Sequence, residues 1–331
     1  MSPRTFTLAS RASELAQIQT NIVVAGLEGL HPPSAESSPR FATSFMSTAG
    51  DRNQSQALYL LGGKALWTKD LEVALKDGSV DMLVHSFKDV PTVLPEGCII
   101  GAILERENPV DSLVVKAGRP WKSLEELPAG SVVGTSSVRR VAQLRRNFPE
   151  LKFLDVRGNL NTRMAKLDAE DGPYAALILA KSGMVRLGKG DRLTTDLRPP
   201  TLYHAVSQGA LAAMELCKQL THRETEWSCL AERAYLRVLE GGCSVPVGVS
   251  TQLDDAGELK ITGCVTSLDG GLHVEHTLKE KIASTEDAEA VGARLAKILI
   301  DNGAGKILAD INKDRERRIG EAEAKEAVVQ A

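Results

Sequence analysis

The chain has 331 residues, 43% of them hydrophobic and 25% charged, and a formal net charge of −3 at pH 7. That balance excludes a disordered chain, and the length implies two or three domains rather than one core. The near-neutral charge excludes a general attraction to nucleic acid or to an anionic membrane, so any anion binding must come from local clusters of Arg and Lys.

No apolar run approaches the ~20 residues that span a bilayer. The opening Met-Ser-Pro-Arg-Thr-Phe-Thr has no charged-then-apolar signal layout, so a cytoplasmic address is expected. The five cysteines, Cys98, Cys217, Cys229, Cys243 and Cys264, are scattered and include no CxxC pair. Neither a zinc ribbon nor a thioredoxin-type site is supported, and most should be reduced thiols.

In chain order, Phe6–Ala9 reads as a strand and Ser13–Leu27 as an amphipathic helix with Leu15, Ile18, Ile22 and Leu27 on one face. Phe41–Thr48, Met82–His85, Leu113–Val115, Val132–Gly134, Phe153–Val156 and Ala176–Leu179 are further strands. Most precede a segment with helical spacing, such as Leu66–Leu75 after Gly62-Gly63. This alternation predicts α/β architecture with parallel sheets covered by helices. The last third changes character. A helix over Glu224–Leu239 is followed by strands Val245–Leu253, Leu259–Ser267 and Leu272–Lys279 with short Asp/Gly turns, then a helix over Glu286–Leu299. That pattern predicts a small α+β unit with a three-stranded antiparallel sheet. From Asn312 the chain is charged and Ala-rich, a solvated helix.

Chemistry concentrates in three places. Gly134-Thr135-Ser136-Ser137-Val138-Arg139-Arg140 runs from a strand into a helix, so its hydroxyls stand at a helix N-terminus that favours an anion. Arg157 and Arg163 follow the next strand in the same way, and parallel neighbours would put both loops on one sheet edge, where α/β sheets bind ligands. Arg139, Arg157 and Arg163 are candidates to hold carboxylates, whereas Arg145 and Arg146 read as a solvated helix face. His85-Ser86-Phe87-Lys88-Asp89-Val90-Pro91 follows a strand. It suits either a site handling both signs of charge or a surface turn with an ion pair. Glu240-Gly241-Gly242-Cys243 puts a thiol on a glycine-rich loop, as a nucleophile or attachment point or as an ordinary cysteine.

Other signals fail. Gly62-Gly63-Lys64-Ala65 lacks P-loop spacing, and there is no GxGxxG or GxSxG. His273 and His276 fall on opposite faces of a strand and cannot share a metal.

Taken in order, these segments resemble the porphobilinogen deaminase family. The matching stretches include Arg11-Ala12-Ser13-Glu14-Leu15-Ala16, Thr48-Ala49-Gly50-Asp51 and the His85–Pro91, Gly134–Arg140 and Arg157–Arg163 runs. They continue with Arg186-Leu187-Gly188, Gln208-Gly209-Ala210 and the Cys243 loop. Ala65, Trp67, Ser182 and Ser207 stand where the family commonly has Gly, Phe, Ala and Gly.

The resemblance implies two periplasmic-binding-protein-like α/β lobes plus a small α+β C-terminal domain. Domain 1 would comprise 1–106 and 200–219, domain 2 107–199 and domain 3 220–312, with a charged tail over 313–331. It implies a dipyrromethane cofactor on a thioether to Cys243. It further implies that Asp89 is catalytic, hydrogen-bonding pyrrole N–H groups and stabilising the cation left as ammonia departs. Lys88, Asp89, Thr135, Ser137, Arg139, Arg140, Arg157 and Arg163 would bind the cofactor, and Arg11, Ser13, Gln19, Arg157 and Arg186 the substrate. Four porphobilinogens would be joined head to tail and released as hydroxymethylbilane. The expected partner is this small molecule alone, with no nucleic acid, membrane or metal, and the expected state is a monomer. From the arginine-lined cleft alone, the alternative is a non-catalytic two-lobed binder of a small dicarboxylate.

Overall fold

The protein is described by a computed structural model covering residues 4–32, 38–48, 65–213, 215–239 and 245–330. Cys243 with its glycines, Gly62-Gly63-Lys64 and the 49–51 stretch lie outside the described residues.

Strand β1 (Thr5–Arg11) is flanked in parallel by β2 (Arg40–Met46) and β3 (Met82–Leu83). Between β1 and β2 runs α1 (Glu14–Leu30), whose Val23 and Leu27 join Leu8 and Met82 in a core. The buried face of α1 differs from the one its apolar spacing predicts. It is formed by Ala16, Gln19, Thr20, Val23 and Leu27, while Ile22 is 41% exposed. Polar groups are tolerated there because they are paired: Thr20 Oγ1 donates to Ser10 Oγ at 2.7 Å and Gln19 Nε2 to Ser86 Oγ at 2.9 Å.

After α2 (Ala65–Lys76), the single strand expected over Met82–His85 is two. Met82–Leu83 stays with β1. The chain then bends at Val84, whose N–H is held by Ala9 O at 2.9 Å. It continues as β4 (His85–Ser86) in a second sheet of order β4-β11-β5, with β5 at Ala102–Ile103 and β11 at Leu211–Ala213. That switch aims the Lys88–Asp89 turn away from the first sheet.

The second lobe holds a five-stranded sheet of order β10-β6-β9-β7-β8. Its strands are β6 (Asp111–Val115), β7 (Val132–Gly134), β8 (Lys152–Leu154), β9 (Ala176–Ala180) and β10 (Thr195–Leu197). The expected all-parallel arrangement is only partly realised. β7, β8 and β9 are joined by α3 (Val138–Asn147) and α4 (Leu160–Asp168) and pair in parallel, as βαβ crossovers require. β6 is antiparallel to both β9 and β10. It enters from the other lobe and leaves by a long excursion, so no crossover helix dictates its direction. Apolar clusters fill both faces of this sheet, around Leu113 and Ile178 on one side and Val114 and Leu177 on the other.

A short α5 (Lys181–Arg186) follows β9, and the chain crosses back to β11. Then α6 (Arg223–Val238) and α7 (Thr285–Leu299) pack on an antiparallel sheet of β12 (Val247–Leu253), β13 (Glu258–Thr266) and β14 (His273–Lys281). Their core centres on Tyr235, Ile261, Val291 and Leu295. The charged tail is a helix, α8 (Gly305–Gln330). Among the described residues no helix is long and apolar enough to cross a membrane.

Candidate active site

Where the two lobes face one another they enclose a crevice of about 580 Å³. Its lining collects Arg11 from the end of β1, Ser13 and Gln19 from the N-cap and second turn of α1, Lys88 and Asp89 from the turn after β4, and Ser137, Arg139, Arg140, Arg157, Arg163 and Arg186 from the second lobe. The expected site residues at these positions therefore come together from five separate stretches of sequence. Thr135 does not line the crevice. It is 3% exposed and its hydroxyl accepts from Ser137 N at 3.3 Å, which shapes the turn.

The Lys88–Asp89 turn is a single 3₁₀ turn over Phe87–Asp89. Phe87 is fully buried beneath it, and Arg233 of α6 lies over that ring at 4.4 Å while donating to Val90 O at 3.0 Å and to Pro91 O. The third domain thus clamps the turn from behind. His85, just before it, is 9% exposed and its Nε2 has no hydrogen-bond partner among the described residues. Burial pushes its pKa down to about 4, with Asp89 opposing and Arg11 reinforcing, so it is neutral at physiological pH. Lys88 is also pushed down, to about 8, first by burial. Asp89 and Asp111 oppose that shift, and Arg140 and Arg139 reinforce it.

On the opposite wall, Ser137 caps α3 by accepting from Arg140 N at 3.4 Å. Ser136 ties the β7 and β8 loops together, donating to Val156 O at 2.7 Å and accepting from Val156 N at 3.2 Å. The hydroxyls expected to face an anion are therefore spent largely on the fold. Arg139 and Arg140 are both buried against one carboxylate: each reaches Asp111 at 2.7 Å, on different oxygens. Arg139 also donates to Tyr203 O, and Arg140 to Ile178 O at 2.6 Å. Burial alone would raise the Asp111 pKa, but the two guanidinium groups overrule it and hold the carboxyl far below its ordinary range. Arg163, whose Nε donates to Gly158 O at 2.8 Å, forms no ion pair among the described residues. Burial first, then Arg140 and Arg157, push it down to about 10, with Asp155 opposing. Gly158 has φ +108°, and a Cβ there would meet Thr162 at 2.7 Å, so only glycine lets the Arg157 loop turn into α4. Arg145 and Arg146 are exposed, as their spacing predicts.

This wall suits a polyanionic pyrrole. Among the described residues the crevice lining carries Arg11, Lys88, Arg139, Arg140, Arg157, Arg163 and Arg186 against Glu14 and Asp89. The Nε atoms of Arg140 and Arg186 are buried donors with no hydrogen-bond partner among the described residues. Orphaned cationic donors in a low-dielectric cleft favour carboxylates, and a dipyrromethane with acetate and propionate arms supplies them. Asp89 is the acceptor among these cations that suits pyrrole N–H groups. The residues fit the group.

Several functional side chains escape the sequence reading. Asp111 opens a wholly buried strand, Asp-Ser-Leu-Val-Val. The available signal was that a charge in such a run must be paired. Arg233 and Gln208 act through contacts more than a hundred residues away, which no local spacing reveals.

Comparison with known proteins places this geometry. Residues 6–222 match the family model "Porphobilinogen deaminase, dipyromethane cofactor binding domain", and residues 227–301 match "Porphobilinogen deaminase, C-terminal domain". The chain is 45% identical to the porphobilinogen deaminase of Yarrowia lipolytica over 94% of each chain. It is 47% identical to that of a Nostoc species, over 95% of this chain and 97% of that one. The Synechococcus elongatus protein is 48% identical over 93% and 96%. Among solved structures, a TRAP periplasmic solute binding protein from Chromohalobacter salexigens aligns over 72% of this chain and 81% of its own, at 11% identity and a TM-score of 0.36.

Proposed function

The chain belongs to the porphobilinogen deaminase family, and from that premise we propose that its crevice deaminates porphobilinogen and joins four such units head to tail before releasing hydroxymethylbilane. The observation that carries this reading is one carboxylate, Asp89, set in a cleft whose other charged lining is almost entirely cationic. When bound through Cys243, dipyrromethane supplies the anchored pyrrole end on which units are joined. The protein's own residues do the rest.

Lys88, Arg157, Arg163 and Arg140 hold carboxylate arms, and the spare donor of Arg140 makes it the better placed of the Asp111-bound pair. Ser137 and Arg139 frame the same wall, and Thr135 acts through the turn it shapes. Arg11, Ser13, Gln19 and Arg186 receive the incoming substrate. Arg186 donates to Gly209 O at 2.7 Å, which anchors it on the turn before β11 and leaves its Nε for a carboxylate. In the reaction the substrate's C–N bond breaks, ammonia carries the amine away, a C–C bond forms and the pyrrole carbon gives up its proton. At release one C–C bond is cleaved, water giving its hydroxyl to the product's methylene and its proton to the pyrrole carbon left behind. Nothing is oxidised. Asp89, facing the pyrrole N–H, stabilises the positive charge that develops as ammonia leaves, and the cleft's low dielectric strengthens the effect. Arginines held rigidly from behind keep register, so one carboxylate serves successive joinings. A cytoplasmic address and a monomeric state belong to the same reading.

The test is turnover by the purified protein and by Asp89→Asn, which keeps shape and removes charge. Porphobilinogen should be consumed and hydroxymethylbilane released. The variant should fold normally and lose at least ~10² in kcat. Tight binding without turnover would instead make the chain a two-lobed binder of a small dicarboxylate. Near-normal turnover by the variant would remove Asp89 from the chemistry.

A further inference from the structure

Gln208 sits on the turn just before β11, where the chain returns from the second lobe to the first, and it is 1% exposed. Its side-chain amide has three partners of two opposite kinds. Oε1 accepts from Lys88 Nζ at 3.3 Å, while Nε2 donates to Asp111 Oδ1 at 2.9 Å and to Pro109 O at 2.6 Å. An ammonium at one end and two anionic or carbonyl oxygens at the other leave the amide one direction in which to lie. Its backbone is fixed as well: Gln208 O accepts from Arg106 Nε at 2.7 Å, and Gln208 N donates to Ala205 O at 3.0 Å. The next residue, Gly209, has φ +93°, and a Cβ there would lie 2.2 Å from Glu107 O, so the two segments that cross between the lobes are pressed together at this point.

We infer that Gln208 is a positioning residue: its amide ties Lys88 of one lobe to the Asp111–Arg139–Arg140 cluster of the other and holds the ammonium toward the crevice. No other side chain meets the same demands. Glu would set a second carboxylate against Asp111 and Pro109 O, Lys and Arg cannot accept from Lys88, and Met or Leu offers neither function. The charged groups bearing on Lys88 are Asp89, Asp111, Arg139 and Arg140. Within that set the amide oxygen favours the ammonium form without neutralising it, so the charge remains available to a carboxylate. Because burial already brings Lys88 down to about 8, loss of this acceptor would take its proton within the working pH range. The inference rests on the reading that Lys88 holds a carboxylate of substrate or cofactor.

The experiment compares wild-type holoenzyme with Gln208→Met, which keeps length and volume but removes both functions. Carbamylation of Lys88 by cyanate, followed by peptide mass spectrometry across pH, reports the lysine's own titration without reference to activity. The midpoint should fall by about one pH unit in the variant, a tenfold change in the protonation equilibrium. KM for porphobilinogen should rise more above that midpoint than below it, with kcat changing less. Gln208→Asn, whose amide is one methylene short, should shift the midpoint the same way by less, and it serves if the Met variant does not fold. An unchanged midpoint in the folded variant, or a loss equal at every pH, overturns the inference. Lys88→Gln separates the premise: normal KM there removes the anion-holding role of Lys88, whatever Gln208 does to the labelling.

Discussion

The two walls of the crevice carry the same sign of charge on different terms. In the second lobe, Arg139 and Arg140 share the buried carboxylate of Asp111, 0% exposed on its side chain, and their remaining N–H groups go largely to backbone carbonyls. In the first lobe, Lys88 is held by one amide oxygen and His85 is buried neutral with a nitrogen unpartnered among the described residues. One wall is a framework built on a shared carboxylate, and the other holds Lys88 by a neutral amide beside Asp89. The difference separates arginines that shape the site from groups that have donors to spare for a ligand. Arg163, Arg186 and the Nε of Arg140 side with the second group although they sit on the framework wall.

The comparison breaks most decisively at Asp111. Asp111→Ala leaves two buried guanidinium groups without their counter-ion and should cost about 3–5 kcal/mol of stability, measured by chemical denaturation. A cost under ~1 kcal/mol would mean that the framework wall is not held by this carboxylate.

Acid should separate other groups in turn. His85 and His204 are both brought down to about 4 by burial, from an unfolded value near 6.5. Between those values the unfolded chain binds protons that the folded chain refuses. Stability is therefore full above the unfolded value and falls as pH drops toward 4, by up to ~1.4 kcal/mol per pH unit for each histidine. The share of Asp111 is lost only at lower pH, because its carboxyl is held down. Denaturation midpoints at neutral and mildly acid pH, for wild type and His85→Gln, should converge as pH falls. A constant gap would show that His85 is not buried neutral.

The smallest effect lies between the walls. Ser207 has φ 60°, a left-handed conformation that favours glycine, and it is fully buried with its N–H donating to Glu232 at 2.6 Å. Ser207→Gly relieves a cost of roughly 1–2 kcal/mol but adds unfolded-chain entropy of about 0.5–1 kcal/mol. Calorimetry should record a Tm rise of about 2 °C. A fall would mean that the serine hydroxyl contributes more than the strain removes.

Much of this arrangement was legible in the sequence. The strand–turn–helix pattern around Gly134–Arg140 and Arg157–Arg163 placed two loops on one sheet edge because β7 and β8 are indeed parallel neighbours. The antiparallel hairpins of the last sheet were written in their turn residues. What local spacing could not convey was pairing across the chain. Whether Arg139 meets a ligand or Asp111 depends on a contact 28 residues away, and the grip of Arg233 on the Lys88–Asp89 turn spans 143. The direction of β6 and the true inner face of α1 were missed for a related reason. The first depends on which lobe the chain arrives from, and the second on hydrogen-bond partners for Gln19 and Thr20 that lie in other strands.

The central claim is that a cationic crevice grips an anionic dipyrromethane anchored by one thiol. Intact-mass spectrometry of the purified protein tests it most directly. The protein should be heavier than its sequence by one covalent dipyrromethane, and Cys243→Ser should return the mass to that of the bare chain. A folded, active protein at its unmodified sequence mass would contradict the account.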